Sequence, residues 1–446
     1  MDEKYCIICK RCGLKTINDV NQNYCTRCKK KGLLFSAYSK PLKIDNTSPN
    51  LYRYRDWLPI YSEFPGLSSL PGCYKSQNLA HALGLENLWI LFSGYWPEKG
   101  AFLESGSFKE FEAIGVLSRL RERTDKVMLL SSAGNMGLST LFISQKLGIP
   151  AIVVAPESAC SNFLTPLEEN DAPVFLISLK QSVYKDCMAF VSKLDQKLPQ
   201  IICEGGVYNI ARRDFLGIPV LHAVSTMKDI PDHYFQAVGS GTGAIAAWEA
   251  ACRLSGLNGF SCKSMRLHLA QNKPFTPIVC LWEDLPQNDE FKAEQVLSGV
   301  LTNPDPPYRV TGGVFDALTA TRGHTYGVDN NEIITAKFEF ETLEGIDIQY
   351  PSAACVAALK QAIKKNRIAA SDSILLHITG GGLTHLKKQK KLYPYKPALT
   401  IQKTEIEIAA RGISGFLADI KHQRISKEKN DSRRTSGYPD YETKQN

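Results

Sequence analysis

Lys109 stands in the run Glu104-Ser105-Gly106-Ser107-Phe108-Lys109-Glu110, where Gly106 and Ser107 let a ligand approach the backbone closely. A lysine amine forms an imine with an aldehyde when a useful fraction of it is neutral. Farther along, Gly239-Ser240-Gly241-Thr242-Gly243 lies directly after a strand-like run and directly before a helix-like one. Backbone N–H groups and the helix dipole at such a junction favour a phosphate, and Ser240 and Thr242 add hydroxyl donors. The spacing is G-x-G-x-G, which differs from the dinucleotide fingerprint G-x-G-x-x-G. Between these two runs, Ser131-Ser132-Ala133-Gly134-Asn135 occupies another strand-to-helix turn. That turn can offer N–H groups to a substrate carboxylate and the Asn135 amide to a cofactor oxygen. Each run also has a bland reading: a surface lysine opening a helix, an ordinary turn, a glycine turn without a ligand. Their ordered combination instead points to an aldehyde that carries a phosphate, pyridoxal phosphate (PLP).

Near the other end, Ile374-Leu375-Leu376-His377-Ile378-Thr379 runs into Gly380-Gly381-Gly382. A hydroxyl at Thr379 could face the pyridine nitrogen and leave it unprotonated. A ring in that state favours β-elimination and replacement over transamination.

These residues need elements to position them. Strand-sized apolar runs are expected at Val127–Leu130, Ala151–Ala155, Val174–Ser178, Tyr234–Val238, Met265–Leu269 and Ser373–Ile378. Helical stretches fall at Glu110–Arg119, after Asn135 through Leu147, at Ser182–Leu194 and at Ala244–Arg253. Alternation of this kind implies parallel sheets with ligands at the carboxyl ends of the strands. The expected fold class is therefore α/β. Residues 36–95 read as a lead-in with turns at Pro49, Pro59, Pro65 and Pro71. A polar stretch over 419–446 reads as a disordered tail.

Cys9-Lys10-Arg11-Cys12 and Cys25-Thr26-Arg27-Cys28 are two C-x-x-C pairs. Two such knuckles complete a tetrahedral site, so Cys9, Cys12, Cys25 and Cys28 are the candidate ligands of a structural zinc. Cys6 offers a competing pair with Cys9, which leaves the register open. Residues 1–35 are read as a zinc-ribbon-like segment, and residues 36–418 as the catalytic region. The other eight of the 13 cysteines are scattered, as small buried hydrophobes are in a cytoplasmic protein.

The longest apolar runs are strand-sized, so no membrane helix is expected, and the charged N-terminus does not read as a signal peptide. The localisation implied is cytoplasmic. The net charge of +8 is concentrated at the two ends, where solvated termini explain it better than nucleic-acid binding does.

With these residues in view, the chain resembles the fold-type II PLP enzymes (the tryptophan synthase β-like fold), and within them the threonine synthases. It is most similar to their cysteate synthase branch. The resemblance rests on the block from Phe92 to Phe102, on Ser107-Phe108-Lys109-Glu110, and on the long block from Pro231 to Gly243. Glu204-Gly205-Gly206, Thr311-Gly312-Gly313 and Leu343 to Ile348 add to it, and it covers roughly residues 6–385. It implies two α/β domains, each with a parallel sheet, the smaller spanning roughly 105–230 and inserted in the larger. It also implies Lys109 as the imine-forming lysine, Asn135 as a cofactor contact and Gly239 to Gly243 as the phosphate cradle. The implied small-molecule substrates are O-phospho-L-serine and sulfite, giving L-cysteate and phosphate, with Lys109 as the base at Cα. Ser107, Ser132, Ala133, Gly134 and Met136 would line the substrate. Lys99, Arg212 and Arg213 are candidates for a second anion site, since guanidinium geometry suits oxyanions. A homo-oligomer is compatible with the family.

Two departures stand out. Met136 follows Asn135 where many relatives carry threonine, and Glu110-Phe111 stands where threonine synthases commonly have Asp-Arg. The second argues against homoserine phosphate as substrate. The competing readings are a threonine synthase and, in another class, a zinc-ribbon binding protein on a retired enzyme scaffold.

Overall fold

Val127–Ser131, Ala151–Pro156 and Val174–Leu179 are apolar without alternation, the pattern of strands covered on both faces. They form the centre of a five-stranded, wholly parallel sheet. Its order is Ile201–Cys203, Val127–Ser131, Ala151–Pro156, Val174–Leu179, Leu399–Ile401. The computed structural model from which this is read describes residues 4–17, 23–168, 173–257, 265–286, 295–303 and 308–435.

The second sheet has six strands in the order His324–Val328, Arg266–Asn272, His233–Ala237, Ile374–Ile378, Leu88–Phe92, Gly72–Lys75. All pairs are parallel except the last, where Gly72–Lys75 runs antiparallel to Leu88–Phe92. The helix Tyr350–Lys364 packs on this sheet, with ten of its residues buried. Leu88–Phe92 lies in the stretch whose prolines suggested only turns. Its strand character comes from pairing with Ile374–Ile378, a partner far away in sequence.

Two expectations about the chain ends need correction. The smaller unit is not confined to roughly 105–230, because Leu399–Ile401 returns to complete the edge of its sheet beside Val174–Leu179. The stretch after 418 is not an irregular tail as far as Thr435, since one helix spans Ile406–Thr435. That helix is anchored by Ala409, Ala410 and Ile413, and by the Phe416 ring against Phe175 at 5.0 Å. Its Lys, Glu and Arg residues are good helix formers, so the anchored turns propagate outward. Residues 436–446 of the expected tail lie outside the described residues. None of the described helices is long and apolar enough to cross a membrane.

At the N-terminus, Tyr5–Cys9 pairs antiparallel with both Lys15–Thr16 and Leu34–Tyr38. This ribbon therefore runs to Tyr38, a little past the expected boundary. It is fastened to the catalytic region. Tyr38 Oη donates to Asp214 Oδ2 at 2.9 Å, and Leu33 N donates to Thr311 O at 2.9 Å.

Candidate active site

The turn ahead of Lys109 is constrained on every side. Gly106 adopts φ +74°, and a Cβ there would sit 2.4 Å from Leu383 Cδ2, so the position requires glycine. Ser105 N donates to Glu110 Oε2 at 2.7 Å, and Ser69 Oγ donates to Glu110 Oε1 at 2.5 Å. Glu110 is thus a strut beneath the turn, and burial pushes its carboxyl up to about 7. Phe108 N donates to Thr379 O at 2.9 Å, and Ser107 bridges to Gly380. The Phe108 ring lies against Gly243, where a Cβ would come 3.0 Å from it. Lysine segment, glycine loop and the end of Ile374–Ile378 are therefore in mutual contact.

Lys109 opens the helix Lys109–Arg121, and its side chain is 20% exposed. Its Nζ donates to Glu112 Oε2 at 2.6 Å. Arg212 Nε stands 2.7 Å from Glu112 Oε1 as an ion pair, and Arg212 Nη1 donates to Glu204 Oε2 at 2.8 Å. Burial lowers the Lys109 pKa, Glu112 opposes that, and Arg212 reinforces it. A lysine that must act as a neutral amine benefits from such a shift.

Two N–H cradles face this lysine segment. Among the described residues, no acceptor takes up the N–H groups of Gly239, Ser240, Gly241 or Thr242, which lead into the helix Thr242–Leu257. Gly241 holds φ +75°, and Ser240 Oγ and Thr242 Oγ1 lie 2.8 Å apart. Among the described residues, the N–H groups of Ala133, Asn135 and Met136, at the start of Asn135–Leu147, likewise meet no acceptor. Ser132 Oγ accepts from Gly137 N at 2.8 Å and from Gly134 N at 3.3 Å, so it shapes this turn. Met136 packs its side chain against the core and leaves its N–H to the cradle. Asn135 Nδ2 donates to Gln349 Oε1 at 2.7 Å, and Gln349 Nε2 donates to Gly106 O at 3.2 Å. Gln349 thereby joins the two domains across the site.

The residues fit PLP. A free N–H nest at the start of a 16-residue helix suits its phosphate. Ser107 Oγ is buried without a partner, and the Thr379 hydroxyl makes no hydrogen bond among the described residues. Lys109, Asn135 and Thr379, together with Gly239 to Gly243, would hold the cofactor.

The three candidates for a second anion site fare differently. Arg212 does reach Lys109, but Glu112 and Glu204 already engage its guanidinium, so it is not a free anion receptor. Arg213 is 1% exposed and faces away, donating to Val207 O and to Leu34 O of the ribbon, with Glu249 3.2 Å from its Nε. Lys99 is exposed and sits over the rings of Tyr74 and Trp96, 4.6 and 5.8 Å from their centroids. Glu112 was missed, although its i,i+3 spacing from Lys109 on a helix was readable. Gln349 had no local signal, because only the chain crossing makes it a neighbour of Asn135.

Sγ atoms of Cys9, Cys12, Cys25 and Cys28 all lie within 4.8 Å of one another, those of Cys12 and Cys25 being 3.7 Å apart. Four thiolates at such spacing suit tetrahedral zinc. Among the described residues, the grouped sulfurs are those of the 9/12 and 25/28 knuckles, while Cys6 pairs opposite Ala37 outside the group. About one zinc per chain is expected by elemental analysis, with near-complete loss in Cys12→Ser.

Two α/β domains built on parallel strands, with Lys109 at the head of one helix and backbone N–H groups presented at the starts of two others, have the architecture of a fold-type II PLP enzyme. A family model described as "Pyridoxal-phosphate dependent enzyme" matches residues 73–380, and the chain belongs to that family. The cysteate synthase of Methanosarcina barkeri is 40% identical over 411 residues, covering 90% of this chain and 97% of that protein. The cysteate synthase of Methanoregula boonei is 42% identical over 416 residues, covering 91% and 96%. Among solved structures, maize serine racemase matches with TM-score 0.55 at 15% identity, covering 72% of this chain and 91% of that one. A K43A mutant of O-ureido-L-serine synthase matches with TM-score 0.52 at 12% identity, covering 72% and 90%. At those identities the structural likeness speaks for the fold alone.

Proposed function

We propose that this chain catalyses the cysteate synthase reaction, replacing the phosphate of O-phospho-L-serine by sulfite to give L-cysteate and phosphate. The observation that carries the reading is near-full-length identity of about two in five to cysteate synthases, in a chain whose own lysine segment and cradles converge. When bound, PLP supplies the electron sink that acidifies the Cα–H bond of an amino acid. The protein's residues do the rest. N–H groups of Ala133, Asn135 and Met136 hold the substrate carboxylate and fix Cα relative to Lys109. Lys109 Nζ takes the Cα proton and later returns it, so no net proton is consumed. The Cβ–O bond breaks with its electron pair leaving on phosphate, and the sulfite lone pair forms the Cβ–S bond. Thr379 offers a neutral hydroxyl rather than a carboxylate, in keeping with replacement over transamination.

Purified protein loaded with PLP and given O-phosphoserine and sulfite should release phosphate and cysteate in equal amounts, read by mass spectrometry. Threonine from O-phosphohomoserine, without cysteate, would overturn the reading.

A further inference from the structure

Nothing in the reaction scheme says what holds the Lys109 amine while it is not bonded to cofactor. The structure offers a specific answer. Glu112 is third after Lys109 on the same helix, and its side chain is 0% exposed. One carboxylate oxygen receives Lys109 Nζ at 2.6 Å, and the other faces Arg212 Nε at 2.7 Å. Arg212 is in turn held by Glu204 at 2.8 Å, so basic and acidic side chains alternate over four groups. Glu204 is itself fixed, since its Oε2 accepts from Gly206 N at 2.9 Å. Asn209 Nδ2 donates to Glu204 O at 2.8 Å, while Asn209 Oδ1 caps the helix Ile210–Leu216 that carries Arg212. A helix needs no charge at this depth, and burying a carboxylate is costly without partners. Its placement against the reactive amine is therefore the feature to explain.

We propose that Glu112, oriented by Arg212, is the positioning residue of Lys109. It receives the amine whenever the amine is free and steadies the ammonium formed when Nζ holds the Cα proton. This inference rests on Lys109 being the cofactor lysine. The proton passes from Cα to Nζ and back, and Glu112 accepts a hydrogen bond throughout without taking that proton. The charged groups facing the amine are Glu112 on its own helix, Arg212 from the helix Ile210–Leu216, and Glu204 from the loop after Ile201–Cys203. The Tyr184 phenol faces Arg212 from the helix Tyr184–Lys197.

The test is competitive acetylation of the full-length chain before PLP loading, followed by mass spectrometry, which reads the titration midpoint of Lys109. In Glu112→Gln the midpoint should fall by about one pH unit or more, as expected on losing an opposite charge within hydrogen-bond distance. In Arg212→Gln it should rise, because a neighbouring cation is lost and Glu112 is left to the lysine alone. Glu112→Asp should restore part of the wild-type midpoint. In the loaded enzyme, Glu112→Gln should lower kcat and shift its acidic limb to lower pH, with KM for the amino-acid substrate little changed. Opposite shifts in the two glutamine variants are a signature that a purely structural role would not produce. The Arg212 variant also reports independently if Glu112→Gln fails to fold. Unchanged midpoints in variants that fold normally would overturn the proposal. Shifted midpoints in an enzyme that makes no cysteate would uphold it and overturn only the substrate reading.

Discussion

Lys109→Ala is expected to lower kcat for cysteate formation by about 10²- to 10⁴-fold, the range ascribed to a positioned general base. Borohydride reduction followed by mass spectrometry should find PLP attached at residue 109 in the wild type and not in the variant. The fold should survive the change. Glu112 keeps Arg212 as its partner, and the turn is held by Glu110, Ser69 and Ser105 rather than by the lysine amine. Cofactor found attached to another lysine, with activity retained in Lys109→Ala, would remove the central residue of the mechanism.

Arg213→Ala should act in the opposite way, lowering stability by about 3–5 kcal/mol while leaving Lys109 and both cradles in place. The cost comes from breaking a buried pair. Burial works against ionisation of Glu249, yet Arg213, Lys10 and Arg253 together hold its pKa below the ordinary value. Loss of Arg213 also frees Leu34 O and Val207 O, so the ribbon strand Leu34–Tyr38 loses a tie to the helix Ile210–Leu216. A lower denaturation midpoint and faster proteolysis of the ribbon are the readouts. A raised KM for phosphoserine at unchanged stability would instead return Arg213 to an anion-binding role.

The adjacent pair Arg212 and Arg213 shows why sequence reading stops where it does. Their type suggested that both bind an oxyanion. Neighbours on a helix point about 100° apart. One guanidinium consequently enters the lysine's charge network, and the other enters the seam with the ribbon. No local pattern distinguishes these two outcomes.

The sequence alone pointed to Lys109, to the turns Ser131–Asn135 and Gly239–Gly243, to two C-x-x-C pairs and to most of the parallel strands. Each depends on residues within a few positions of one another, where backbone geometry limits what a run can form. Only the tertiary structure decided which groups surround the lysine amine. It alone set Glu112 between Lys109 and Arg212, laid Gln349 across to Asn135, and left Cys6 out of the quartet. It also returned Leu399–Ile401 to a sheet begun some 270 residues earlier (399 − 127 = 272). The physical reason is the same in each case: chemistry between distant residues depends on which faces are buried together, and packing alone settles that.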